Sequence, residues 1–258
     1  MTPPGKPFFS VVIPAFREEA SIAAAVERLR CGLGMEGGGE IVVVDDGSPD
    51  RTSEAARGAG ADQVLTLPVN RGKGAAVRAG MLAARGRSVA FTDADLAYSP
   101  AQLLRLLEEV EAGWDVVIGS RRHVDTTTLV RARRAREVSG RLFNLVSRAV
   151  LLHRYLDTQC GLKAFDSDVA RVVFSRARVD GFAFDVEVLY LVQRYGLSLQ
   201  EVPVELANPE TSSVRVLRDA PLMVRDLVRI RRWAAAGAYD LTPEEQAVLD
   251  GRGRRRGR

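Results

Sequence analysis

The chain has 258 residues, 46% of them hydrophobic and 27% charged, enough to bury an α/β core without a disulfide or metal staple. Two cysteines, Cys31 and Cys160, make no disulfide framework, and two histidines, His123 and His153, leave little for a zinc site or a His-based triad. The net charge of +4 is unevenly spread: 121–154 carries +7, 215–232 carries +4, the last eight residues carry +5, and everything else sums to −12.

Taken in chain order, residues 8–14, 40–45, 62–67, 88–92 and 115–119 are short, β-branched-rich apolar runs. Such runs are the mark of strands buried on both faces of a parallel sheet. Between them, 19–31, 52–58, 74–85 and 100–112 have helical patterning, with Pro49-Asp50 and Ser99-Pro100 as helix-entry signals. This alternation predicts right-handed βαβ units, so residues 8–119 read as a nucleotide-binding α/β half. Beyond it, 138–155 reads as a basic amphipathic helix and 161–165 as a short strand. A helix over 182–195, a strand over 199–206 and a second basic amphipathic helix over 216–236 follow. The expected division is one domain over 1–236, with a C-terminal helix and an Arg-rich tail, disordered from Gly251, in 237–258.

In an open parallel sheet, ligands bind outside the carboxyl ends of the strands, and polar clusters fall at four of those ends. They are Pro14-Ala15-Phe16-Arg17-Glu18-Glu19, Asp45-Asp46-Gly47-Ser48, Asn70-Arg71-Gly72-Lys73-Gly74 and Asp93-Ala94-Asp95. The carboxylates of Asp93 and Asp95 are hard oxygen ligands suited to Mg²⁺ or Mn²⁺, which bridges a diphosphate; an ordinary acidic turn is the plainer alternative. Asp45 and Asp46 either form a helix-capping pair with Ser48 or bind a base edge and ribose. The glycines beside Lys73 permit close backbone approach at a helix start that favours phosphate, although neither a P-loop nor a GxGxxG turn is present.

In order, SVVIPAFREE (10–19), VVVDDGSPDRT (42–52), NRGKGAAVRAGM (70–81), FTDADLA (91–97), IGSR (118–121), DTQCGLKAF (157–165) and FAFDVEVLYL (182–191) resemble one family. It is the inverting family 2 glycosyltransferases of GT-A fold, in the branch that glycosylates polyprenyl phosphates. The likeness is greatest to dolichyl-phosphate β-glucosyltransferases, with the mannose synthases next. The resemblance implies a mostly parallel α/β sheet with C-terminal amphipathic helices at a membrane interface. It implies nucleotide-sugar contacts from Pro14, Ala15, Phe16, Glu18, Asp45, Asp46, Lys73, Ala94, Gln159 and Arg215, and metal-diphosphate binding by Asp93 and Asp95. Arg121, Arg134, Arg136 and Ser139 fall where the acceptor phosphate is gripped, and Asp157 and Asp185 lie in sugar and acceptor motifs. Asp93, Asp95, Arg121 and Asp185 form the expected catalytic set.

One departure concerns the metal: mannose synthases usually read DADLQ, whereas position 97 is Ala97, so that Gln is missing. The implied partners are a nucleotide-sugar donor (UDP-glucose, or GDP-mannose as the alternative), a polyprenyl phosphate and an anionic membrane surface. A soluble hydroxyl acceptor with Asp185 or Glu187 as base is a rival, and a noncatalytic nucleotide-sugar sensor is another. Nucleic acid is not expected, because no aromatic-rich RNA platform accompanies the arginines. No basic-then-apolar leader opens the chain, and no apolar run approaches the roughly 18 residues of a spanning helix. The expected location is the cytoplasm, peripheral to the membrane's cytoplasmic face.

Overall fold

The protein is represented by a computed structural model, which describes residues 8–34, 38–121, 160–205 and 216–256. Arg134, Arg136, Ser139, Asp157, Gln159, Arg215 and the helix expected over 138–155 lie outside the described residues. The strands are β1 (Phe9–Ala15), β2 (Gly39–Asp45), β3 (Gln63–Thr66), β4 (Ser88–Phe91), β5 (Val116–Ser120), β6 (Lys163–Asp166) and β7 (Leu199–Pro203). The helices are α1 (Ile22–Gly32), α2 (Thr52–Gly58), α3 (Lys73–Ala83), α4 (Pro100–Glu111), α5 (Ser167–Arg176), α6 (Phe184–Arg194), α7 (Val216–Ala235) and α8 (Pro243–Arg256).

One sheet of seven strands runs in the order β3-β2-β1-β4-β6-β5-β7. All neighbours are parallel except β6, which runs antiparallel between β4 and β5. Strict alternation along each strand sends its residues to two cores. Val12, Val42, Val44, Val89, Phe91, Val116 and Phe165 pack with α3, α5, α6 and α7. Val11, Ile13, Ile41, Val43, Ala90, Val117 and Ala164 pack with α1 and α4. Burial on both faces is why these strands read as continuous apolar runs.

Ser99 caps α4 as its spacing predicts: its hydroxyl accepts from Gln102 N (3.4 Å), its own N–H donates to the Gln102 side chain (3.2 Å), and Pro100 follows. Two differences from the sequence reading stand out. Helix α5 was not anticipated, because its Val-rich face resembles a strand; Asp166, which accepts from Asp168 N (2.8 Å), starts it. Helix α8 continues to Arg256, into the stretch expected to be disordered. It docks through Glu245, which accepts from Arg176 Nε at 3.0 Å.

The direction of β6 positions the site. Lys163 pairs with Phe91 and Ile118, so β6 begins at the carboxyl ends of its neighbours and carries Cys160–Lys163 to the edge where the polar loops gather.

Candidate active site

Hydrogen bonds tie the loops after β1 and β2 together. Arg17 N donates to Ser48 Oγ (2.9 Å) and Glu18 N to Thr52 Oγ1 (2.9 Å), while Asp46 N reaches Ala15 O (2.8 Å). Pro14 and Ala15 end β1, and Phe16 is exposed with the Arg17 guanidinium 5.2 Å from its ring centroid. Asp45 accepts from Ser48 N (2.9 Å) and Ser53 Oγ (2.6 Å), which closes the turn after β2; it is not the helix cap expected, since α2 begins at Thr52 without a side-chain cap. Asp46 accepts from Asn70 Nδ2 (3.0 Å), Arg71 N (2.9 Å) and Gly72 N (2.7 Å), and so fixes the loop that leads into α3. Burial holds the Asp46 carboxyl above its ordinary value despite those donors, with Asp180 and Asp45 adding to the rise.

The glycines of that loop have a different use from the expected one. A Cβ on Gly72 would lie 2.5 Å from Asp180 O, and one on Gly74 2.5 Å from Val179 O. Asp180 O also accepts from Ala75 N (3.2 Å). The close backbone approach is thus to the chain's own 179–181 turn, which takes up part of the helix start. What the loop delivers to the site is Lys73.

The Lys73 ammonium pairs with Asp93 Oδ1. Burial opposes the charge on Lys73, but Asp93, Asp185 and Asp95 outweigh it and hold its pKa above the ordinary value. Asp95 accepts from Ala97 N (3.1 Å), and Leu96 between the acids adopts a left-handed φ of 43°. Such a backbone costs on the order of 1 kcal/mol, and the buried Leu96 side chain holds it in place. Ala97 is buried and offers no side-chain donor atom to an ion.

Beneath the acids lies a group that motif reading did not single out. Lys163 is fully buried; its ammonium donates to Asp185 Oδ1 and to Cys160 O, both at 2.6 Å, and lies 5.5 Å from the Phe91 ring centroid. Burial raises the Asp185 pKa, and Lys163 and Lys73 only partly offset it. Gly161 closes the assembly, since a Cβ there would sit 2.3 Å from Asp93 Oδ2. The available signal was rarity: against 34 arginines the chain has three lysines, and two of them meet these carboxylates. Each presents a compact point charge on a flexible stem, where the chain's other cations are almost all planar guanidinium forks.

Asp93, Asp95, Lys73 and Asp185 are therefore brought together, with Asp45 and Asp46 acting one loop away. Arg121 directly follows β5, at the same sheet edge. Glu187, the rival base, is elsewhere in role: fully buried, it accepts from Arg178 N (2.9 Å), Val179 N (2.8 Å) and Tyr239 Oη (2.5 Å). Its oxygens fasten the 178–179 turn and the C-terminal segment, which corrects its assignment as a possible base. Among the described residues, no three His, Cys, Asp or Glu gather into a metal cage. Asp93 and Asp95 nonetheless fit Mg²⁺ or Mn²⁺, because such ions are commonly held by one or two carboxylates with substrate phosphates and water completing the shell.

The family model described as Glycosyl transferase family 2 matches residues 10–174. The chain is 34% identical to the dolichyl-phosphate beta-glucosyltransferase of Drosophila melanogaster, over 89% of this chain and 76% of that protein. To the human protein of the same name it is 30% identical, over 90% and 77%. Among solved structures, glucosyl-3-phosphoglycerate synthase from Mycobacterium tuberculosis with Mn²⁺ and UDP-glucose superposes with a TM-score of 0.64 at 22% identity. That likeness covers 86% of this chain and 79% of the other, and shows a shared GT-A-like fold.

Proposed function

The chain belongs to glycosyl transferase family 2, and from that premise we propose that it moves glucose from UDP-glucose onto a polyprenyl phosphate, giving a β-linked lipid phosphosugar. The observation that carries this reading is the convergence of Asp93, Asp95, Lys73 and Asp185 at one sheet edge. The relatives' names supply the donor sugar and the acceptor.

A phosphate acceptor needs no general base, because its second pKa is about 6 and it is already anionic at pH 7. The obstacle is repulsion between the acceptor phosphate and the donor diphosphate. Asp93 and Asp95 would hold Mg²⁺ or Mn²⁺, whose charge stabilises the departing diphosphate. Lys73 adds positive charge beside them, and Arg121, just past β5, would meet a phosphate on the acceptor side. Asp185, fixed by Lys163, lies within electrostatic reach of Lys73 and Asp93, a location suited to orienting the sugar. The acceptor oxygen attacks C1 as the bond to UDP breaks, inverting an α-linked donor to a β-linked product.

Membrane contact falls to α7 in this reading. Its Met223, Leu227 and Ile230 are buried against the core, whereas Val224 and Val228 are each 46% exposed. Arg225, Arg231 and Arg232 are exposed on the same helix. Apolar side chains flanked by arginines suit an anionic leaflet, with each basic residue near the surface contributing about 1 kcal/mol. No helix among the described residues is long and apolar enough to cross a membrane.

The test incubates purified protein with membranes and labelled UDP-glucose or GDP-mannose. Label from UDP-glucose should enter the organic phase in a Mg²⁺- or Mn²⁺-dependent manner. Label from GDP-mannose alone would move the reading to a mannose synthase. Label left on a water-soluble product would defeat the lipid acceptor, and no transfer from either donor would favour a nucleotide-sugar sensor.

A further inference from the structure

We propose that Lys73 is an internal stand-in for the divalent ion: in the ligand-free protein its ammonium occupies the charge position at Asp93, holding metal affinity low until the donor diphosphate arrives. The inference rests on the reading of Asp93 and Asp95 as metal ligands. Three features of the site support it.

The first is that Asp93 cannot easily turn away from Lys73. Its Oδ1 meets the ammonium, and its Oδ2 lies against the bare Cα of Gly161, where a Cβ would be only 2.3 Å away. The second is that Lys73 is the first residue of α3, with the preceding loop tied to Asp46 through Arg71 N and Gly72 N at 2.9 and 2.7 Å. The backbone is therefore anchored, and only the side chain is left to yield. The third is a second resting place. Asp185 also attracts Lys73, so an ammonium displaced from Asp93 remains beside a carboxylate.

The charges explain the order of binding. Asp93, Asp95 and Asp185 bring three negative charges, which Lys73 and Lys163 offset by two. Adding a divalent ion alone leaves an excess of positive charge in a confined space, and two cations on one carboxylate repel. Adding the ion with a diphosphate removes that excess. Metal and nucleotide should accordingly bind with strong mutual reinforcement, and by linkage each should raise the other's affinity equally.

The experiment titrates Mn²⁺ into the full chain, with and without UDP, following free Mn²⁺ by electron paramagnetic resonance. Lys73→Met should bind Mn²⁺ about tenfold tighter than wild type without UDP, because an ion pair formed nine-tenths of the time lowers apparent affinity by that factor. The reinforcement by UDP should shrink to match. Lys73→Gln should move in the same direction, and Lys73→Arg, which keeps the charge, should stay near wild type. Unchanged or weaker Mn²⁺ binding in both neutral variants, with native circular dichroism and UDP-supported binding intact in wild type, overturns the proposal alone. Absence of Mn²⁺ binding to wild type with UDP, or binding undiminished by Asp95→Asn, overturns the metal reading and this proposal with it.

Discussion

At the amino ends of the strands Glu40 is buried, and at the carboxyl ends Asp185 is buried, yet the two acids are treated in opposite ways. Glu40 accepts from Ser10 Oγ (2.6 Å), Gln63 Nε2 (2.7 Å), Arg85 N (2.9 Å) and Arg85 Nε (2.7 Å). Burial alone would raise its pKa, but these donors win and hold it below the ordinary value. Asp185 accepts from Lys163, whose ammonium is shared with a backbone carbonyl, and is attracted by Lys73, yet burial wins. A fully bonded carboxylate locks β1 to β2 and the end of α3. An incompletely compensated one is left where a ligand must supply the missing charge, the pattern expected of a site and not of a staple.

Breaking each end should give different phenotypes. The largest effect belongs to Asp95→Ala, which should lower transfer on the order of 10²-fold or more while the melting temperature stays near wild type. Full activity in that variant would end the metal assignment. Glu40→Ala should instead cost about 3 kcal/mol in urea unfolding, with turnover per folded molecule unchanged.

The milder Glu40→Gln gives a pH test with a definite sign. Because the folded pKa lies below the ordinary 4.5, wild type keeps its full advantage above that pH and loses it as pH falls through the lower folded value. Melting curves of both proteins between neutral and acid pH would register the convergence. Asp185 and Asp46 carry the opposite sign, since their raised values make ionisation subtract stability as pH rises.

Glu187→Gln should cost about 1–3 kcal/mol, because an amide NH₂ replaces an acceptor facing Tyr239 or the 178–179 amides, while transfer survives. Loss of turnover without loss of stability would restore Glu187 as a base. The smallest stability effect, within about 0.5 kcal/mol, is expected for Val224→Asp and Val228→Asp, both exposed. Sedimentation with anionic vesicles should nevertheless show weaker binding, and unchanged binding would remove α7 from the membrane.

The sequence was most informative where a signal is local. Apolar runs of strand length marked β1 to β5 within a residue or so, and Ser99-Pro100 marked the start of α4, because alternation and capping depend on near neighbours. The acids at 93 and 95 and the lysine at 73 were legible as polar residues just beyond apolar strands. Helix α5 was hidden by its valines, whose preference for strands is overridden by packing of Val169, Val173 and Phe174 into the core.

The sequence by itself determined the layered α/β core and the sheet edge at which polar chemistry gathers, because strand periodicity and loop polarity are local properties. Only the tertiary structure decided that β6 runs antiparallel and brings Lys163 under the acids, that Gly161 touches Asp93, and that Lys73 spans from α3 to the turn after β4. It also separated Asp185 from Glu187, two residues apart on one helix, one left beside the ligand loops and the other bonded into the scaffold. Those distinctions depend on which side chains meet across long stretches of chain, and burial with donor count, not residue type, sets what each acid can do.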